Sequence, residues 1–151
     1  MLRERFSADL KDAIKARDAA LVSTLRLILA AIKDRDIAAR AGDNTEGVSE
    51  ADILAILGKM VRQRKESAKS YEEGGRLDLA EKERAEIEMI RQYLPRPMSE
   101  TEMRQAIDTA IAETGAASIR DMGRVMAALK ERHTGQMDFA KAGAAVKSAL
   151  G

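Results

Sequence analysis

The 151-residue sequence contains no cysteine, no tryptophan and only one histidine. The absence of cysteine excludes disulfides, thiolate metal sites and a cysteine nucleophile. Aromatic residues make up only 3% of the chain, whereas hydrophobic residues make up 45%. The core must therefore consist mainly of Leu, Ile, Met, Val and Ala, which is typical of a helical bundle.

Long apolar segments are also missing. The longest apolar run, LRLILAAI, contains Arg26 and is too short to cross a bilayer. The first segment, MLRERFSADLKDAIKARD, carries charges every few positions, unlike a signal peptide. We therefore expect a cytoplasmic protein that makes no use of a membrane.

Neither sign of charge dominates the sequence. Lys and Arg together number 26 and Asp and Glu 25, which gives a formal net charge of +1. Any binding to nucleic acid would therefore require a local basic patch.

Hydrophobic residues recur with helical spacing along most of the chain, and no sustained period-two alternation indicates a strand. Polar capping residues predict where several of these helices begin. They are the pairs Ser49–Asp52, Ser99–Glu102 and Ser118–Asp121, together with Asp18 and Asp138. Gly135 is expected to end the helix that starts near Ser118. The pattern predicts an all-α protein.

Both prolines, Pro95 and Pro97, lie in the segment YLPRPMSE, and neither fits a helix interior. We therefore place a boundary there. It separates an N-terminal four-helix unit, residues 1–94, from a smaller C-terminal three-helix unit, residues 95–151.

The sequence offers little for catalysis. It has no P-loop, dinucleotide-binding or serine-hydrolase motif, and its carboxylates alternate with basic residues as on solvated helix faces. His133, near a helix end, is expected to interact with terminal carbonyls rather than act as a base. We expect no catalytic residue, no metal and no cofactor, and hence no enzyme activity by the chain alone.

Two basic clusters are candidates for phosphate contact. The first lies in the C-terminal unit and consists of Arg120, Arg124, Lys130 and Arg132. For these residues, phosphate contact and a role in packing or solubility are both open interpretations. The second, which we interpret first as a solvated face, lies on the long helix after Ser49: Lys59, Arg62, Lys65 and Lys69.

Gly123 is unusual because it lies inside the helix that carries the first cluster, where glycine costs about 1 kcal/mol relative to alanine. We expect it to allow another helix to approach closely. Arg120 and Arg124 are expected to face outward, toward phosphates.

The segments YLPRPMSE, ETGAASIRDMGRVMAAL and TGQMD together resemble the GatB/YqeY family. The matching positions include Tyr93, Leu94, Pro95, Asp121, Met122 and Gly123. The preceding residues resemble the helical part of stand-alone YqeY proteins. The tail resembles the domain that closes the B subunit of glutamine-dependent tRNA amidotransferase.

This resemblance implies an all-helical protein whose tail helps to hold tRNA. The amidase subunit and the kinase-like part of the B subunit have no counterpart in the chain, so a carbon–nitrogen ligase label would be inherited from the larger complex. We expect a non-catalytic tRNA-binding accessory module, whose tail recognises phosphates and shape at the tRNA elbow. The alternative is a helical adaptor that docks on an amidotransferase, a synthetase or a translation factor.

Overall fold

The computed structural model describes residues 1–42 and 47–151. Within these ranges the chain forms seven α-helices and no β-strand, which confirms the all-α prediction. The helices are α1 (Leu2–Lys15), α2 (Ala19–Ala41), α3 (Glu50–Glu73), α4 (Leu77–Arg91), α5 (Glu100–Thr114), α6 (Met122–His133) and α7 (Phe139–Leu150). A short 3-10 helix, Ile119–Asp121, leads into α6. None of the described helices is long and apolar enough to cross a membrane.

The predicted helix caps are present. The Ser49 hydroxyl accepts a hydrogen bond from the Asp52 amide at 3.2 Å, and the Ser99 hydroxyl accepts one from the Glu102 amide at 3.1 Å. The remaining predicted caps are the Ser118–Asp121 box and the carboxylates of Asp18 and Asp138. Gly135, at φ +82°, follows the end of α6. Helix starts were therefore predictable from local chemistry.

The chain folds into two compact units, Met1–Leu94 and Pro95–Gly151, each with its own hydrophobic core. In the first unit all four helices contribute buried apolar side chains to that core. Phe6, Leu25, Ile28, Leu57 and Ile90 are fully buried. Each such side chain contributes roughly 1.5–3 kcal/mol through its transfer from water.

Tyr93, from the Tyr-Leu-Pro segment, ties the end of α4 to α1. Its ring meets Phe6 edge to face, with 4.8 Å between the ring centroids, and the Arg5 guanidinium lies 4.6 Å from its centroid. Its hydroxyl donates a hydrogen bond to the Asp9 carboxylate. Burial and this hydrogen bond raise the pKa of Tyr93. The residue is therefore part of the packing of the first unit.

A polar cluster fixes the approach to α3. Arg3 forms a two-pronged ion pair with Asp36, with N–O distances of 2.7 and 2.8 Å, and Asp36 also accepts a hydrogen bond from the Val48 amide at 2.9 Å. The Arg3 guanidinium, followed by the Val48 amide, holds the pKa of Asp36 well below its usual range. Gly47 is required here because it has φ +84° and an added Cβ would lie 2.6 Å from the Asp36 carboxylate.

The second unit packs α5, α6 and α7 around Ile107, Val125, Leu129 and Val146. At its beginning, Arg96 and Glu102 form a two-pronged ion pair, with N–O distances of 3.0 and 2.8 Å. The Arg96 guanidinium, together with hydrogen bonds from Ser99, lowers the pKa of Glu102 to about 2.

The prediction that Gly123 allows close helix packing is wrong. Gly123 is exposed, and a Cβ added there would meet no atom within 4 Å. The close contact occurs instead at Gly143 on α7, where an added Cβ would lie 3.7 Å from Met122 and 3.8 Å from Met126. Met122 and Met126 of α6 thus face α7, whereas Gly123 is exposed to solvent.

Candidate nucleic-acid interface

Helix α3 presents four basic side chains to solvent on one side. Its capped start fixes the helix, and its apolar residues, including Ile53, Leu57 and Val61, are buried in the first unit. The opposite side carries what we call the α3 basic face: Lys59, Arg62, Lys65 and Lys69. All four are exposed, and none forms an ion pair or side-chain hydrogen bond with any residue in 1–42 or 47–151.

The α3 basic face spans ten residue steps, or about 15 Å along the helix axis at 1.5 Å per residue. The exposed carboxylate of Glu66 lies on the same side and reduces the local positive charge. The face therefore holds a net surplus of three cations. Because these side chains have no partner among the described residues, a phosphate ligand would not have to displace an ion pair there.

Arg64, near this face in sequence, has a different role. Its Nε donates a hydrogen bond to Glu86 on α4 at 3.0 Å, and the two side chains are only 14% and 15% exposed. A pair shielded to this degree holds α3 against α4. Arg64 is therefore structural, although sequence alone places it among the basic residues.

Gly58 was not predicted to matter, yet it lies beside Lys59 in the middle of α3. A Cβ added there would meet no described atom within 4 Å, so no packing contact within the described part of the chain requires a glycine. The interior of a helix makes glycine unfavourable by about 1 kcal/mol. The glycine leaves helix backbone accessible next to the α3 basic face. A mid-helix glycine without a cap role was the sequence signal that could have revealed it.

In the tail, Arg124 is held by its own unit. Its guanidinium donates to the Asp121 carboxylate at 2.7 Å and to the Thr114 carbonyl at 3.0 Å. Asp121 also accepts hydrogen bonds from the amides of Ala117 and Ser118. The Ala117 amide, followed by Arg124, lowers the pKa of Asp121. Although 59% of its side chain is exposed, Arg124 joins the end of α5 to the start of α6.

The other tail candidates do not form one face with Arg124. Arg132 pairs with Glu113 on α5 at 2.5 Å. Lys130 is exposed but lies two positions from Arg132, which places the two side chains on nearly opposite sides of the helix. Arg120 is exposed and makes no side-chain hydrogen bond or ion pair within the described part of the chain. Two of the four predicted cations are thus engaged internally.

A metal site has no support in the arrangement of side chains. Across residues 1–42 and 47–151, no group of three or more His, Asp or Glu side chains is placed to hold a metal ion. His133 lies at the last position of α6, where its imidazole is only partly buried.

Comparison with known proteins gives one family match. The model of the Yqey-like protein family matches residues 3–150. Similar curated proteins include an uncharacterized protein of Schizosaccharomyces pombe, 34% identical over 87 residues, which covers 57% of this chain and 66% of that protein. Proteins named "Altered inheritance of mitochondria protein 41, mitochondrial" are also similar. The one from Lachancea thermotolerans is 36% identical over 86 residues, covering 57% of this chain and 44% of its own length. The one from Clavispora lusitaniae is 37% identical over 93 residues, covering 62% of this chain and 51% of its own length.

The chain spans about half the length of the mitochondrial relatives it matches. Their names state a mitochondrial location for those proteins, and the cytoplasmic location of this chain stays a prediction. The family match covers nearly every residue. The chain therefore belongs to the YqeY-like family.

Proposed function

We propose that the protein is a non-catalytic accessory module that binds tRNA through the α3 basic face. The observation that supports this most is the set of four exposed cations on one side of α3, none of them engaged within the described ranges. Phosphate contacts supply most of the sequence-independent affinity of nucleic-acid-binding proteins. The accessible backbone at Gly58 gives a phosphodiester chain room to approach.

The form of the face favours a folded RNA over an extended single strand. Single-strand binders stack bases on exposed aromatic rings. This chain has two Tyr and two Phe, and Phe6 and Tyr93 are buried in the first core. A straight row of cations instead fits the phosphate ridge of a helical stem, which proteins read mainly by shape. tRNA is the folded RNA that the family resemblance implies.

The tail has a supporting role in this proposal. Arg120 and Lys130 retain free side chains for additional phosphate contacts, whereas Arg124 and Arg132 mainly stabilise the tail. A relation between the tail and the amidotransferase B subunit is part of the proposal. The carbon–nitrogen ligase activity of that complex is not assigned to this chain.

The direct test is equilibrium binding of bulk deacylated tRNA at two salt concentrations. Each phosphate contact adds about 0.7–0.9 to the slope of log affinity against log salt concentration. With four phosphates engaged, tRNA affinity is therefore expected to fall about 50- to 150-fold between about 50 and 200 mM salt. Saturable binding with this dependence would support the proposal. Absence of binding at the lower concentration would contradict it and favour the adaptor alternative, in which α3 docks on an amidotransferase, a synthetase or a translation factor.

A further inference from the structure

Helix α2 has apolar side chains on two sides. Its inner side places Leu25, Ile28 and Ile32 in the core of the first unit. On its outer side, Leu27 and Ile37 remain 46% and 56% exposed. A surface helix usually has a polar outer side, and exposed apolar side chains that cluster mark interaction sites. Leu27 clusters with the exposed Ile14 in one groove. The outer side of α2 therefore has the character of an interface.

Two opposite charges on this side, Arg26 and Asp34, lie symmetrically about Ala30, and the exposed Lys33 lies at its edge. We define the α2 outer face by five exposed residues that share one side of the helix: Ser23, Arg26, Ala30, Asp34 and Ile37. Arg26 lies one turn before Ala30, and Asp34 lies one turn after it. Neither charged side chain has an ion pair or hydrogen bond with any described residue. Ser23 and Ile37 lie two turns from Ala30, on either side.

An open groove borders the N-terminal half of the α2 outer face. Its volume is about 640 Å³, and its apolar wall consists of Ile14, Val22 and Leu27. Ser23 and Arg26 also line it, so the groove begins on the α2 outer face itself. Ile14 is 49% exposed there. The face thus has an exposed isoleucine near one end and a groove able to receive an aliphatic side chain near the other.

We propose that the α2 outer face is the interface of a two-fold symmetric homodimer, in which α2 packs antiparallel against the same helix of a second copy. With Ala30 at the axis, each Arg26 lies opposite the partner's Asp34. Each Ile37 lies opposite the partner's Ser23, at the entrance of its groove. The small side chain of Ala30 allows the two helices to approach closely at the axis.

The charge pattern favours a second copy over an acidic partner. A uniformly acidic peptide would meet Asp34 in the middle of the face, and like charges across an interface are unfavourable. A symmetric dimer uses the same surface on both subunits, so a contact that occurs once must occur twice. The α2 outer face satisfies this condition. A half-turn about Ala30 brings Arg26 opposite the partner's Asp34, and Ile37 opposite the groove beside the partner's Ser23.

Sedimentation equilibrium of the full chain, over concentrations reaching the high-micromolar range, tests the proposal. Arg26→Asp and Asp34→Arg each place like charges at both symmetry-related contacts. Each variant is therefore expected to raise the dimer Kd by about tenfold or more. An equimolar mixture of the two variants restores opposite charges at both contacts, and its Kd is expected within about threefold of the wild-type value.

The matched control is Lys82→Asp, which changes an exposed residue without a described ion pair on α4. It is expected to leave dimerisation unchanged. Circular dichroism would verify that each variant retains its helical content. A wild-type protein that stays monomeric throughout the series would overturn the proposal. So would a mixture of the two variants that associates no better than either variant alone.

Discussion

Helices α3 and α6 carry similar basic residues in sequence but use them differently. The four cations of the α3 basic face have no partner within the described ranges. In the tail, Asp121 holds Arg124 and Glu113 holds Arg132. Each of the two predicted clusters contains four cations, so a count would rank them as equal. The two clusters differ in how many of their cations remain free to bind a ligand.

The difference arises from the neighbouring carboxylates. On α3, Glu66 lies within the basic face but engages none of its cations. Around α6, one carboxylate lies a single turn away on the chain, and another is supplied by α5. The Arg132–Glu113 ion pair and the hydrogen bond from Arg124 to Thr114 join α5 to α6. The tail therefore uses two of its cations for internal contacts, whereas those of the α3 basic face remain free within the described ranges.

The largest expected effect is on RNA affinity. Replacing Arg62 and Lys69 together with glutamate should weaken tRNA binding by about a hundredfold, because each lost charge-assisted contact is worth about 1.5 kcal/mol or more. Filter binding or fluorescence titration at low salt would measure this. The control with the same charge change, Lys11→Glu with Lys82→Glu, alters exposed residues of the same unit. Equal losses in both double variants would mean that net charge alone determines affinity.

A stability effect should distinguish Arg124 from Arg120. Arg124→Gln removes hydrogen bonds to Asp121 and Thr114, and because the site is exposed we expect a loss of about 0.5–1 kcal/mol. For a unit of this size that lowers Tm by roughly 2–8 °C. Arg120→Gln removes no described contact and should leave Tm unchanged in a thermal melt. Equal shifts would refute the structural assignment of Arg124.

The tail should also be sensitive to acid through Glu102. Its folded-state pKa of about 2 is below the ordinary value of 4.5, so its ion pair stabilises the fold above that ordinary value. This stability is lost as pH falls from 4.5 toward about 2. An acid titration followed by circular dichroism should therefore show a shallower stability loss in Arg96→Gln than in wild type over that interval. Equal losses of stability in the two proteins over that pH interval would contradict the stabilising role of this ion pair.

The smallest effects on binding concern Gly58 and Gly123, the two α-helical glycines with open space around them. Gly58→Ala and Gly123→Ala should each raise stability by about 0.5–1 kcal/mol, because alanine favours the helix and meets no atom at either site. Only Gly58→Ala should weaken tRNA binding, by a few-fold. Thermal melts and binding titrations on both variants would test this. A loss of stability in Gly123→Ala would restore the packing role that the structure contradicts.

Much of the fold was predictable from local sequence. Capping residues such as Ser49 and Ser99 predict helix starts because their side chains bond to amides three residues away. Hydrophobic spacing likewise predicted the buried side of α3.

The candidate site was only partly predictable. The sequence grouped Arg124 and Arg132 with free cations, because their partners Thr114 and Glu113 lie on α5 and become neighbours only after the tail has packed. The same holds for Gly143, whose contact with Met122 depends on how α7 meets α6. Local patterns predict elements, whereas the free or engaged state of a charge depends on tertiary contacts.

We propose that tRNA binds mainly through the α3 basic face, with the tail in a supporting role. The salt dependence of tRNA affinity tests it most directly, compared among wild type, Arg62→Glu with Lys69→Glu, and Arg120→Glu with Lys130→Glu. The α3 double variant should reduce the slope of log affinity against log salt by about 1.4–1.8, since two phosphate contacts are lost. The tail double variant should change the slope by less than half as much. A larger loss of slope in the tail variant would contradict the claim and return the interface to α6.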